Sequence, residues 1–482
     1  MNAQIIKLFA FITVCFAVLV GFTSYWAVFD ADNLKNERVN KRPLFKAQQI
    51  KRGTIFAADG TVIARSTPNG RGASIQYVRE YPTAGLFGHP IGYSFISQGN
   101  SEFESFHNSE LVGDDSEFTS IIDELRGKDP VGHNVTTSLD PVAQQTAFDQ
   151  LAGRPGAVVA IEPSTGKIRA MVSQPPYDPN QVPEDLTALN RDPGGSLLNR
   201  ATQGQYPPGS TFKLVTAAAA LDSGVIDPDT LIDAPASLNI QGSPLANFGG
   251  SAFGEINVET ALTNSVNTFF AKLGRKVGED RLYEYMDRFG FNSKPQIDLP
   301  TDEVMTSGVF DSSTGELLSP GEGVDISRIA IGQERLLATP IQMAEVAATI
   351  ANGGKLMKPQ IWDQVRDADG RVLDTMNPDE QSNVISEDSA AELTIAMKAV
   401  VTEGTGTAAA LSGVDVAGKT GTAEVPGREN CDGLPNQAWF VGFAPADDPQ
   451  IAIAATVECT DGQGGTVAAP IAAAVMQTLI GE

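Results

Sequence analysis

Apolar and polar positions change rhythm several times along the chain. From Leu8 to Phe29 no charged residue occurs (LFAFITVCFAVLVGFTSYWAVF). As a helix these 22 residues would span about 33 Å, enough to cross a bilayer. Tyr25 and Trp26 stand near the outer end, where amphipathic rings favour the interface. A cleaved signal peptide or a buried core helix would share part of this pattern. The run is long for a signal h-region, however, and no clear small-x-small cleavage site follows it. The expectation is an uncleaved single-span anchor, followed by a polar, basic stalk to about Arg52. Thr54–Ile63 then reads as a hairpin around Asp59-Gly60. Residues 97–120 are polar, and their acidic clusters predict a solvated surface. Pro141–Ala152 has helical spacing and stops at Gly153.

The pattern shifts at Gly153-Arg154-Pro155-Gly156. Ala157–Ile161 and Lys167–Ser173 read as two strands joined by the turn Pro163–Gly166. The middle of the remaining chain is helical, over Ser210–Leu221, Val258–Val277 and Ile341–Ala351. Its end returns to strands over Val416–Val425, Ala438–Ala444 and Gln450–Cys459, and a helix Pro470–Ile480 closes it. Strands at both ends of a helical middle imply one sheet assembled from distant parts of the chain. The predicted organisation is tail and anchor at 1–29, stalk and small module at 30–152, and a larger domain at 153–482.

Composition narrows the function. A chain of 482 residues suits two or three domains. With 59 acidic against 34 basic residues, its formal charge of -25 argues against nucleic acid as a partner. Three histidines and three cysteines are too few and too scattered for a zinc ribbon or a histidine-rich metal site. Cys15 lies inside the apolar run. Cys431 and Cys459 flank the last predicted pair of strands, and two readings stay open for them. They are unrelated cysteines, or they form a disulfide worth roughly 3–4 kcal/mol in an exported protein.

Three short clusters carry candidate chemistry. In Pro208-Gly209-Ser210-Thr211-Phe212-Lys213 the Pro-Gly pair breaks the chain before a helix, so Ser210 and Lys213 fall one turn apart on one face. A serine hydroxyl needs a base, and a lysine serves if burial or a neighbouring cation lowers its pKa. An N-cap serine followed by a surface lysine has the same spelling. Ser265-Val266-Asn267 lies within or at the edge of a helical stretch and offers a hydroxyl and an amide. Lys419-Thr420-Gly421-Thr422 lies on a predicted strand, where a lysine could pair a carboxylate and the glycine could admit a substrate backbone.

Alone, each cluster is weak. Together, Ser-x-x-Lys, Ser-x-Asn and Lys-Thr-Gly occur in one order and in fitting settings. The chain resembles the penicillin-recognising serine acyltransferases, that is, penicillin-binding proteins and serine β-lactamases. Arg52-Gly53-Thr54-Ile55 with Asp59-Gly60, and Gly132 through Thr137, resemble the N-terminal module of class B penicillin-binding proteins. Asn199-Arg200-Ala201, Gly332-Gln333 and Ala338 through Gly354 resemble segments of their transpeptidase domain. The short module and lack of a further C-terminal domain are most similar to the actinobacterial penicillin-binding protein A group. Ala57-Ala58 and Pro207 depart from the family's usual residues.

The resemblance implies an α+β chain. Its transpeptidase fold has a mixed sheet flanked by helices and an all-helical subdomain, and a smaller α+β pedestal or dimerisation-like module and one transmembrane helix precede it. It implies a peptidoglycan D,D-transpeptidase that joins stem peptides through a serine acyl-enzyme and is acylated by β-lactams at Ser210. Lys213 would be the base, Ser265 the relay to the leaving amine and Lys419 the source of positive field. Asn267 would orient Lys213 and the substrate amide. Thr420, Gly421 and Thr422 would hold substrate and complete an oxyanion hole. No cofactor or metal enters this chemistry. A D,D-carboxypeptidase, a β-lactamase and a β-lactam sensor share the three motifs. The resemblance also suggests, as a partner, a membrane glycosyltransferase of the shape, elongation, division and sporulation family. It places the N-terminus in the cytoplasm and the catalytic domain outside. Charge argues the reverse, with only Lys7 before the span and Lys35, Arg38, Lys41, Arg42 and Lys46 after it.

Overall fold

The computed structural model describes residues 2–26, 50–70, 76–113, 131–424, 431 and 433–481. Helix α1, Asn2–Ser24, begins six residues before the predicted span, because Gln4 to Lys7 continue the helix into its polar flank. It is the one described helix long and apolar enough to cross a membrane, and none of it is buried against the rest of the protein. Its threonines fold their hydroxyls back onto the helix: Thr13 donates to Phe9 O at 2.9 Å and Thr23 to Leu19 O at 2.8 Å. Those donors therefore need no outside partner in hydrocarbon. Residues 27–29 and most of the expected stalk lie outside the described residues.

The smaller sheet starts with β1 (Ile55–Phe56), β2 (Val62–Asn69), β3 (Gln76–Glu80) and β4 (Asn134–Thr137). The expected hairpin is β1–β2, and β4 pairs parallel to β1. After helix α2 (Pro141–Leu151) come β5 (Gly156–Ile161) and β6 (Ile168–Gln174), then helices α3 (Lys213–Asp222), α4 (Val258–Thr263), α5 (Asn267–Val277) and α6 (Pro340–Ala351). Strands β7 (Trp362–Arg366) and β8 (Val372–Thr375) follow, then α7 (Glu387–Thr402), β9 (Ala417–Glu424), β10 (Asn436–Ala444), β11 (Ile451–Thr460) and α8 (Gly464–Ile480).

The larger sheet runs β9-β10-β11-β5-β6, antiparallel throughout, so both ends of the larger segment meet as expected. Alanine-rich α8 and α2 cover one face through Ala143, Ala147, Leu151, Ala468, Ala472 and Val475, and α6 packs against the other. The smaller sheet runs β8-β7-β4-β1-β2-β3. Its β7 and β8 come from far beyond residue 153, with β7 antiparallel to β4. No local pattern announces this recruitment, since Trp362–Arg366 alternates too briefly to reveal its partner.

Three further differences have physical causes. The stretch read as one helix, Val258–Val277, breaks into α4 and α5 around Ser265. Helix α8 starts six residues before Pro470, where Gln463 and Thr466 form a capping box, so the proline lies inside it. The polar segment at 97–113 is not simply solvated, because Glu102 and Glu104 are buried. Glu104 accepts from Arg52 Nε at 2.7 Å, Arg79 Nε at 2.6 Å and Tyr81 Oη at 3.0 Å. Two guanidinium groups neutralise what would otherwise be an expensive buried charge.

Candidate active site

The serine cluster owes its shape to its own residues. Gly209 has φ 53°, a left-handed conformation that a glycine adopts freely, and it opens the tight 3-10 turn Gly209–Phe212. Thr211 Oγ1 donates back to Pro208 O at 2.7 Å, and Phe212 anchors the turn in the core, edge-on to Phe291 at 5.6 Å. In such a turn residues i and i+3 eclipse, so Ser210 and Lys213 share one side. Gly209, Thr211, Phe212 and Lys213 are buried, which leaves Ser210 as the half-exposed member.

Two close approaches hold this turn. Gly332 meets it backbone to backbone: a Cβ there would lie 1.9 Å from Gly209 O, and Gly209 N donates to Gly332 O at 2.9 Å. Across the turn, a Cβ on Gly421 would lie 2.7 Å from Pro208 O. The space left by this strand glycine thus admits the protein's own serine turn rather than the substrate backbone expected from sequence. Trp439 Nε1 donates to Pro207 O at 3.0 Å and fixes the approach to the turn.

Ser265 is presented by the end of α4. Val266 N donates to Ala261 O at 2.9 Å and Ser265 N to Leu262 O at 3.1 Å, the two bonds of a Schellman ending. Ser265 takes the left-handed position with φ 55°, which most often belongs to glycine. Its carbonyl and hydroxyl both reach Lys213.

Lys213 Nζ lies 2.7 Å from Ser265 O, 3.2 Å from Ser265 Oγ and 2.7 Å from Asn267 Oδ1. Two of these partners are carbonyl oxygens, which only accept. A neutral amine satisfies both with its two N–H bonds and keeps its lone pair free for a hydroxyl proton. Burial, with the Lys419 cation next to it, holds the Lys213 amine well below its ordinary pKa. Burial alone pushes Lys419 down to about 7. The pair shares one charge most readily with Lys213 neutral and Lys419 cationic. Lys419 Nζ donates to Ser265 Oγ at 3.1 Å and to Thr420 O at 3.0 Å, so one serine hydroxyl bridges both lysines.

All three motifs therefore converge, through Lys213, Ser265, Asn267 and Lys419. Thr420 and Thr422 follow on β9, an edge strand of its sheet. Thr420 shares a 2.6 Å hydrogen bond with Thr405, and Gly464 N donates to Thr422 Oγ1 at 3.0 Å. Thr405 is a neighbour that sequence reasoning missed, since nothing local marks it. Cys431 and Cys459 are joined as a disulfide beyond the end of β9. Next to it, Glu458 accepts from Arg200 Nε at 2.7 Å and Tyr206 Oη at 2.6 Å, which ties Asn199-Arg200-Ala201 to the residue before Pro207. Among the described residues no group of three or more His, Cys, Asp or Glu side chains gathers as a metal site.

Residues 156–477 match the penicillin-binding protein transpeptidase domain, and residues 52–135 match the penicillin-binding protein A dimerisation domain. This chain belongs to the penicillin-binding protein transpeptidase family. It is 35% identical to the peptidoglycan D,D-transpeptidase PbpA of Mycolicibacterium smegmatis, over 100% of both chains. To the protein of that name from Mycobacterium tuberculosis it is 34% identical, over 100% of this chain and 99% of the relative. Among solved structures, the ceftriaxone acyl-enzyme of M. tuberculosis penicillin-binding protein A superposes with TM-score 0.79 at 33% identity, covering 90% of this chain and 99% of the other. The D,D-transpeptidase domain from Eggerthella lenta gives TM-score 0.77 at 34% identity, with coverage of 90% and 99%.

Proposed function

We propose that this chain is a membrane-anchored, serine-type peptidoglycan D,D-transpeptidase with Ser210 as nucleophile. The observation that carries the reading is the hydrogen-bonded chain Lys213–Ser265–Lys419 beside a half-exposed serine. The named activity of full-length relatives supports it.

In this reading Lys213, neutral, takes the Ser210 proton as Oγ bonds the penultimate D-alanyl carbonyl of a stem peptide. Backbone N–H groups of Ser210 and Thr422 would receive the oxyanion, each worth about 10²–10³ in rate. Ser265 passes the proton to the leaving nitrogen, so the peptide C–N bond breaks and D-alanine departs as a neutral amine. Cationic Lys419, with Thr420 and Thr422, holds the substrate carboxylate. Asn267 orients Lys213 and the substrate amide. An amine from a neighbouring stem peptide then attacks the ester, and Ser210 regains its proton. A β-lactam ring opens on Ser210 by the same steps, but its leaving nitrogen remains tethered.

Residues 1–29 would anchor the chain with the N-terminus cytoplasmic, 30–152 would be the pedestal, and 153–482 the catalytic domain. A membrane glycosyltransferase of the shape, elongation, division and sporulation family is the proposed partner of the pedestal. The test is incubation with a fluorescent penicillin followed by intact-mass readings over hours. One long-lived adduct that Ser210→Ala abolishes is the expected result. An adduct that survives that substitution would mean another nucleophile, and one that vanishes within minutes would favour a β-lactamase.

A further inference from the structure

Helix α5, which carries Asn267, begins without a cap of its own. Val266 precedes it and offers no side-chain acceptor to the first turn. The acceptor comes instead from 21 positions upstream. Asn247 Oδ1 accepts from Thr268 N at 2.9 Å and from Thr268 Oγ1 at 3.1 Å. Its Nδ2 donates to Pro235 O at 3.0 Å and Ser251 O at 2.9 Å. Only 4% of Asn247 is exposed, and every donor and acceptor of its amide is used. One residue earlier, Ala246 O accepts from Asn267 Nδ2 at 2.9 Å. A carbonyl oxygen can only accept, so the Asn267 amide presents its NH2 to Ala246 and its Oδ1 faces Lys213 Nζ, 2.7 Å away. Two adjacent residues of the arm at 232–256 thus hold the backbone and the side chain of the Asn267–Thr268 pair.

We propose that Asn247 is a positioning residue for acylation: it caps α5 from outside and, with Ala246 O, fixes the Asn267 amide against Lys213. Asn247 itself touches neither Ser210 nor Lys213. The proposal rests on the reading of Ser210 and Lys213 as nucleophile and base. It predicts that loss of the cap disturbs the base, not merely the arm.

The experiment uses the full-length chain in detergent, and follows acylation by a fluorescent penicillin from pH 5 to 9 beside thermal unfolding. Asn247→Ala is expected to slow acylation about 10- to 100-fold, since small misplacements of a reacting group carry such penalties. The acid limb of its pH profile should move to lower pH, because Lys213 loses an acceptor that favours its charged form. Lys419, the other cation facing Lys213, is untouched. Asn247→Asp keeps an acceptor for Thr268 and should recover part of the rate. Lys272→Ala, which releases the arm from α5 at Asp233 instead, should keep the parent rate and profile. Acylation of Asn247→Ala within about twofold of the parent and with the same profile would overturn the proposal. So would an equal loss at every pH shared with Lys272→Ala. Should Asn247→Ala fail to fold, Asn247→Leu, which fills the space but offers Thr268 no acceptor, decides in its place: slower acylation with the acid limb moved to lower pH supports the proposal, and a parent-like rate and profile overturn it. A parent protein that takes no adduct on Ser210 would instead overturn the functional reading, and this inference with it.

Discussion

Ser265 bears two demands that conflict. Its hydroxyl bridges Lys213 and Lys419, while its backbone holds a left-handed φ of 55° that costs a non-glycine residue on the order of 1 kcal/mol. Strain of this kind persists where function requires the side chain. Ser265→Gly should therefore leave stability unchanged or raise it by up to about 1 kcal/mol, while acylation falls by about 10²-fold or more. Unfolding midpoints and labelling rates measured on one preparation test this, and a large drop in stability would refute the strain argument. The sequence displayed the serine and the asparagine but not this backbone. Val258–Val277 reads as one amphipathic helix because a serine is no obvious stop signal.

Among elements, the serine turn is held by close backbone approaches from two sides. Gly332 has φ 76°, and a Cβ there would overlap Gly209 O, so the segment before α6 presses directly on the turn that carries Ser210. Gly332→Ala should destabilise the protein by roughly 1–3 kcal/mol. It should also slow acylation at least about tenfold, because Gly209, against which residue 332 packs, immediately precedes Ser210. Labelling at temperatures well below unfolding separates the two effects, and parent-like labelling there would show that the turn accommodates the methyl group. Gly332-Gln333 was legible as part of a family resemblance, but its physical task appeared only when Gly209 came to rest against it.

At the scale of the molecule, the small module and the catalytic domain share a sheet and a buried ion pair. His107 lies 3.4 Å from Asp298 and 3.7 Å from Glu110, while Asp298 also accepts from the backbone N–H groups of Ile361 and Trp362. Burial opposes the charged imidazole, but the Asp298 and Glu110 carboxylates outweigh it and hold the pKa up at about 9. A group raised on folding contributes its full stabilisation below its unfolded pKa near 6.5 and loses it as pH rises through about 9. The stability lost in His107→Gln should accordingly be largest at pH 6, roughly 1–3 kcal/mol, and shrink towards pH 9. Denaturant unfolding of both proteins across that range is the measurement, and a difference independent of pH would mean the imidazole is neutral.

By itself the sequence determined the apolar helix, the small hairpin, both ends of the larger sheet and the order of the three motifs. All of these rest on periodicity and local turn chemistry, which act within about ten residues. Pro208-Gly209-Ser210 illustrates this, because its turn follows from its own backbone preferences. Only the tertiary structure decided what lies next to what. It paired β7 with β4, buried Glu104 between Arg52 and Arg79, joined Cys431 to Cys459 and brought Asn247 to the start of α5. The altered chemistry of Lys213 belongs to the same class. Its low pKa comes from burial and from Lys419, and neither is a property of its neighbours in sequence. Such effects arise when distant segments exclude water from one another, a condition that local pattern does not encode.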